Sequence, residues 1–167
     1  MAMAISIEQY LIRNDIPYDV MTHAPTKFSM DTARVTRVPA GRLAKGVVVR
    51  DERGYLIAVL PATHRLQLGR LRMQLAREVK LATEAELRSL FGDCVEGAIP
   101  PVGPVYGLDV IVDDILNEQP EIFFEGGDHQ ELIHMAGADF RRLLPDALHG
   151  SFSQVSSAEH PHFAHEH

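Results

Sequence analysis

Two features of the chain carry residue types able to hold or transform a ligand. One is Lys45, within Leu43-Ala44-Lys45-Gly46-Val47-Val48-Val49-Arg50. That run reads as a β-strand, in which alternate residues share a face, so Lys45 lies beside Leu43, Val47 and Val49. A lysine on an apolar face must snorkel to water, pair with an anion or serve a site. The other is the loop Gly97-Ala98-Ile99-Pro100-Pro101-Val102-Gly103. Glycine lets the main chain approach a ligand closely, and proline stiffens the loop and removes competing N–H donors. A stiff loop with exposed amides can hold a carbonyl or an oxyanion without reorganising. Alone, either feature has an ordinary explanation: a lysine reaching solvent or a surface turn.

Other reactive residue types lack such a setting. No Ser/His/Asp or Cys/His arrangement has a recognisable local context, and neither the dinucleotide-binding glycine fingerprint nor the Walker phosphate loop is present. Cys94 is a lone thiol, of the kind that commonly packs as a small core residue. His129 and His134 lie five apart rather than at the i, i+4 spacing of a helical zinc site. His160, His162, His165 and His167 crowd the C-terminus, where a flexible tail supplies nothing to fix metal geometry, so no metal site is assigned. Asp113-Asp114 reads as a helix start, because successive residues on a strand diverge.

Composition narrows the class. A chain of 167 residues can form one domain with a sizeable core. A single cysteine excludes an internal disulfide and fits a reducing cytoplasm. The N-terminus lacks the basic and apolar regions of a signal peptide, and no run approaches the ~20 apolar residues of a membrane helix. The net charge of −7 speaks against nucleic acid, yet its distribution does not. Residues 27–80 hold twelve of the sixteen basic residues and four of the twenty-three acids, a balance of +8 against −15 elsewhere. That asymmetry fits a phosphate-bearing partner on one side, or two halves that neutralise one another.

Ser6-Ile7-Glu8-Gln9 and Thr83-Glu84-Ala85-Glu86 have the pattern of capping boxes opening helices. Ser29 is positioned to cap a helix reaching about Val35. Residues 43–50 and 55–60 form a hairpin about Asp51-Glu52-Arg53-Gly54. Further strands are expected at 18–23, 110–112, 121–125 and 131–135, and helices at 69–77 and 139–144. The expected class is α+β: a single domain with a mixed, mostly antiparallel sheet and flanking helices. The domain is bounded at 1–150, with 151–167 read as a disordered His-rich tail.

Taken in order, four segments resemble the prolyl-tRNA synthetase-associated editing domains, the YbaK-like aminoacyl-tRNA deacylases. They are the Lys45 strand, the hairpin into Tyr55-Leu56-Ile57-Ala58-Val59-Leu60-Pro61, the Gly-x-x-x-Pro loop at 97–101, and Glu125-Gly126-Gly127-Asp128-His129 leading into Glu131-Leu132-Ile133-His134-Met135. The resemblance spans roughly residues 5–148. It implies a free-standing hydrolase that removes a wrong, small amino acid from tRNA, with tRNA-Pro a candidate. It implies a catalytic set of Lys45, Gly97 and Pro101, with Lys45 engaging the tRNA 3′ end. Ala98, Ile99, Pro100, Gly127 and His129 would meet substrate; Arg42, Arg65 and Arg70 would meet tRNA. Attack by water would be assisted by the substrate's own ribose hydroxyl, without metal or organic cofactor. The partners implied are aminoacyl-tRNA and a synthetase, with no membrane or DNA. Ile99, Val102 and Val47 are candidate walls of the amino-acid pocket. His129 reads equally as a polar turn residue. The alternative is a non-catalytic module of the same fold that binds tRNA or an aminoacyl nucleotide.

Overall fold

The computed structural model describes residues 4–26 and 28–156. In chain order these form α1 (Ile5–Arg13), β1 (Asp19–Thr22), α2 (Ser29–Thr36), β2 (Leu43–Asp51), β3 (Gly54–Pro61), β4 (His64–Leu66), α3 (Leu68–Leu75), β5 (Lys80–Leu81) and α4 (Glu84–Leu90). They continue with β6 (Asp109–Asp113), α5 (Asp114–Asn117), β7 (Glu121–Glu125), β8 (Glu131–Ala136), α6 (Gly137–Leu143), β9 (Leu148–Gly150) and β10 (Ser153–Val155). Short 3-10 turns at Ala40–Arg42 and Gly103–Tyr106 join them.

One sheet runs β1-β8-β7-β2-β3-β6-β9, with β5 also on β2, and β10 pairs with β4 apart from it. Five of the eight pairings are antiparallel; β2 with β7, β3 with β6 and β6 with β9 are parallel. The expected mixed sheet is therefore observed. Strand parity sorts the core. Ala44 and Val48 of β2 join Ile57, Phe124 and Ile133 under α1 and α6, whose Ile7, Leu11 and Phe140 are buried against them. Val47 and Val49 turn to the opposite face with Leu60, Leu71 and Phe152. Leu43 lies under α2 with Ala33, Phe123 and Leu132. Each fully buried side chain of this size stabilises the fold by about 1.5–3 kcal/mol.

The Thr83 capping box forms as expected, with Glu86 N–H donating to Thr83 Oγ1 and Thr83 N–H to Glu86 Oε1. The Ser6 box does not. Ala4 occupies the cap, and Ser6 turns its N–H and hydroxyl to Asp93, a stronger, charged acceptor far along the chain. Similarly, Phe28 and not Ser29 precedes the first turn of α2. Asp113 caps α5 by accepting the Ile115 N–H.

The fold continues past the boundary read at residue 150. Phe152 is fully buried, its N–H donates to Asp113 Oδ2 at 3.2 Å, and the Ser153 hydroxyl donates to the same oxygen at 2.7 Å. β10 then pairs with β4. Residues 151–156 are thus structured; the histidines of the tail lie outside the described residues.

Candidate functional site

Lys45 and the Gly97 loop come together where two parallel strands part. β2 and β7 pair only through Leu43–Phe123 and Ala44–Phe124. The next residues on each strand, Lys45 and Glu125, both line a cleft of about 160 Å³. β2 supplies its floor through Leu43 to Gly46, and α2 supplies Phe28, Ser29 and Thr32. Gly97 and Ile99 close one side, and the turn from β7 to β8 contributes His129 and, beyond it, Leu132. The Lys45 ammonium nitrogen is buried from solvent. Its charge also bears on His64 of β4, whose pKa is lowered, chiefly by burial, with Asp113 opposing and Lys45 reinforcing the shift.

The turn that carries His129 is organised by one carboxylate. Glu125 Oε1 accepts the N–H groups of Gly127, Asp128 and His129 at 2.9–3.1 Å. His129 is thereby held at φ 61°, a left-handed conformation that few non-glycine residues adopt. Its Nε2 lies 2.7 Å from the Glu96 carbonyl oxygen. A carbonyl only accepts, so Nε2 carries the proton and donates. His129 is therefore a latch between this turn and the Gly97 loop. Gly97 itself has φ +83°, and a Cβ there would sit 3.4 Å from His129 Nε2.

Within the loop, Ala98 N–H donates to the Val95 carbonyl. The N–H groups of Gly97 and Ile99 make no hydrogen bond within the described residues. Ala98, Pro100 and Pro101 are buried behind the lining. Pro101 packs over β2, where its Cα would lie 3.6 Å from a Cβ at Gly46. Gly127, at φ +109°, packs against Ala4 and Cys94 and not into the cleft. Of the apolar walls expected from the sequence, Ile99 lines the cleft, whereas Val102 and Val47 belong to the cores on opposite faces of the sheet. Strand parity accounts for Val47: it shares the face of Lys45 but lies one step deeper.

The basic residues divide. Arg42 is bound to Glu121 at 2.7 Å. The other Glu121 oxygen lies 2.7 Å from Nε2 of His134, whose Nδ1 is 3.1 Å from Asp19. Both His134 nitrogens face carboxylates, an arrangement that favours the imidazolium form, and the ring is stacked on Phe123. Burial acts against that charge, but the hydrogen bonds to Asp19 and Glu121 outweigh it and raise the His134 pKa. Arg65 on β4 and Arg70 on α3 are exposed and have no ion pair with a described residue.

Cys94 is held in a polar cluster that disfavours its thiolate. Burial pushes its thiol up to about 12, and Sγ lies 3.3 Å from the Tyr106 hydroxyl, in a cluster closed by Asp93 and Ser6. No group of His, Cys, Asp and Glu among the described residues is arranged to hold a metal ion.

A family model for the aminoacyl-tRNA editing domain matches residues 23–143, which contain every element of the cleft. The chain belongs to that family. Among solved structures, this editing domain is similar to a candidate trans-editing enzyme for prolyl tRNA synthetase, at 23% identity over 90% of this chain and 96% of that one, with a TM-score of 0.79. A hypothetical protein is similar at 22% identity over 89% and 99%, with a TM-score of 0.78. A candidate signal transduction protein from Marinobacter aquaeolei VT8 is similar at 21% identity and a TM-score of 0.73, over 89% of this chain but 30% of that one. At these identities the likeness is one of fold. No curated protein matches the sequence.

The editing domain's cleft also contains residues that sequence reasoning passed over. Phe28, Ser29 and Thr32 are separated from Lys45 by a turn and a 3-10 segment, and only the packing of α2 on the sheet brings them there. The sequence marks Glu125 as part of a glycine-turn motif and is silent on its three amide bonds. No helix among the described residues is long and apolar enough to cross a membrane.

Proposed function

We propose that this editing domain is a hydrolase that removes a small, wrongly attached amino acid from tRNA, acting in trans. The observation that carries the reading is the convergence, around one small cleft, of Lys45 with Gly97 and Ile99, whose N–H groups make no hydrogen bond within the described residues. The near-complete match to the neighbour described as a trans-editing enzyme supports action in trans.

The chemistry follows from these groups. The Lys45 ammonium pairs with the phosphate or ribose of the tRNA 3′ end as a charge-assisted contact. The ester carbonyl lies against the Gly97–Ile99 segment. Water attacks the carbonyl carbon, the π electrons move onto the carbonyl oxygen, and the amides stabilise that developing charge without reorganising. Collapse breaks the bond to the ribose oxygen, which leaves with a proton; the water's other atoms complete the free amino acid. Glu125 Oε1 is engaged by three amides and His129 Nε2 by Glu96, so these two atoms serve to hold the turn and the loop in place. The water's proton passes to the substrate's vicinal ribose hydroxyl, the assistance that the family resemblance implies, and on from it to the leaving ribose oxygen. Exposed Arg65 and Arg70 offer contacts to tRNA phosphates, which would make binding weaken with added salt.

The size of the cleft sets the selectivity. A synthetase pocket rejects a smaller side chain by only about 1–3 kcal/mol, one methylene's worth. A second, smaller cavity that admits only the undersized product corrects the error. At about 160 Å³ the cleft lies below the range of roughly 300–1,000 Å³ usual for larger ligands.

The test is a deacylation panel of purified protein against Ala-, Cys-, Ser-, Thr- and Pro-charged tRNA, beside Lys45→Ala. Selective loss of one small ester, strongly slowed in the variant, is expected. Binding of charged tRNA without hydrolysis of any ester would sink the reading and leave a binding module.

A further inference from the structure

The cleft has a lip whose chemistry the reaction above does not use. Phe28 is 66% exposed, the largest apolar exposure among the lining residues. An isolated exposed apolar residue needs no explanation; this one has three features that ask for one. It occupies the cap position of α2, where a hydroxyl or carboxamide would satisfy an orphan amide, and it makes no such bond. Breaches of local preference of this kind gather at functional sites. Its backbone is also held firmly. Both the N–H and the hydroxyl of buried Thr32 donate to the Phe28 carbonyl, at 3.0 and 3.2 Å, and the Thr32 hydroxyl meets that of Thr26 at 2.5 Å. An exposed ring is thus presented from a fixed main chain. Finally, the only other flat ring lining the cleft among the described residues is His129, tied to Glu96.

The size of the cleft tells what that ring meets. At about 160 Å³ it suits the small aminoacyl ester proposed above, and Phe28 stands at its lip, where the attached nucleotide would emerge. With the ester carbonyl inside, the base of the terminal nucleotide must rest on the rim. Unpaired bases at single-stranded ends are held by stacking on aromatic side chains. We propose that the ring of Phe28 is the stacking surface for the terminal adenine of the charged tRNA, a positioning role that rests on the deacylase reading above. Stacking tolerates any base, so Phe28 contributes affinity for a nucleic-acid end and does not choose the amino acid.

The experiment compares Phe28→Leu and Phe28→Trp with the parent chain on two substrates: charged tRNA, and the ethyl ester of the same amino acid, which has no base. With charged tRNA, Phe28→Leu is expected to raise KM about 5- to 150-fold, the range base–aromatic stacking supplies, with kcat kept; Phe28→Trp restores KM. The ethyl ester shows no difference. An unchanged KM for Phe28→Leu overturns the proposal, as does an equal loss on both substrates, which would mean that Phe28 merely shapes the cleft. A second readout stands apart from turnover: tRNA with 2-aminopurine as its terminal base should be quenched on binding the parent chain and not Phe28→Leu. If the parent hydrolyses nothing yet quenches, the deacylase reading fails and the stacking surface stands; binding without quenching overturns the stacking surface itself.

Discussion

Two clusters of polar groups lie on either side of the segment 93–99, and they are built to opposite ends. On one side Ser6, Asp93, Cys94 and Tyr106 bond one another, and burial pushes both the thiol and the phenol up in pKa. On the other side Lys45, Gly97 and Ile99 border open space, and two main-chain amides have no acceptor within the described fold. The first cluster joins α1 to the loop after α4; its polar capacity is consumed by the fold. In the second, the Gly97 and Ile99 amides keep their capacity for something that is not part of the chain. Counting reactive residue types would favour the first, with its thiol, carboxylate and hydroxyls. Counting unsatisfied donors beside a cavity favours the second, and the reaction proposed above needs donors far more than it needs a nucleophile.

The comparison breaks most decisively at Lys45. Lys45→Ala is expected to lower kcat/KM for a charged tRNA about 10- to 150-fold, the value of a hydrogen bond to a charged group, while circular dichroism and the urea midpoint stay near those of the parent. Activity within threefold of the parent would remove the cleft's claim. Gly97→Ala tests the loop. It forces a side chain into a left-handed conformation that costs about 1–2 kcal/mol, against His129. We expect a stability loss of that size and a further fall in kcat, so that kinetics suffer more than the unfolding midpoint; a fall in stability alone would make Gly97 a turn residue only.

His134 sharpens the contrast from the structured side. Its pKa is raised in the folded protein, so its contribution is fully present below the unfolded pKa of about 6.5 and is lost as pH rises through the folded value. Urea midpoints should therefore fall between pH 6 and pH 9 by an amount equivalent to about 1 kcal/mol or less, as for a partly exposed ion pair. His134→Gln should flatten that slope. A parent slope shared by the variant would assign it elsewhere. Smallest is Cys94→Ser, expected to leave deacylation unchanged and stability within about 1 kcal/mol. The parent thiol should react slowly with iodoacetamide at pH 8, as a group pushed up to about 12 must.

The sequence exposes the strands of the site well because their burial has a period of two: Lys45 on the face of Leu43, and the 51–54 turn between β2 and β3, are where alternation and glycine place them. It also marks the glycine loop. It conceals partners that are remote in the chain. Ser6 has the form of a capping residue and is taken by Asp93, 87 positions away. Ser151 to Ser156 look like tail by composition, yet one phenylalanine and the distant Asp113 fix them to the fold. Val102 and Ile99 are equally apolar neighbours of one loop; Val102 is fully buried in the core, whereas Ile99 packs on the edge of that core and also lines the cleft. Arg42 and Arg65 have the same charge, and what separates them is whether a carboxylate lies within reach.

The amides of Gly97 and Ile99 belong to the main chain, and this has a genetic consequence. A missense change at position 99 alters the wall of the cleft but keeps its N–H, unless the new residue is proline. The group proposed to steady the reaction is thus written into every codon but proline's, whereas the shape that selects an amino acid is written into side chains such as Ile99, Leu43 and Leu132. Mutation can therefore explore new selectivities along this wall while the donor beneath it persists, a separation that would let one scaffold diversify its substrates without first losing its chemistry.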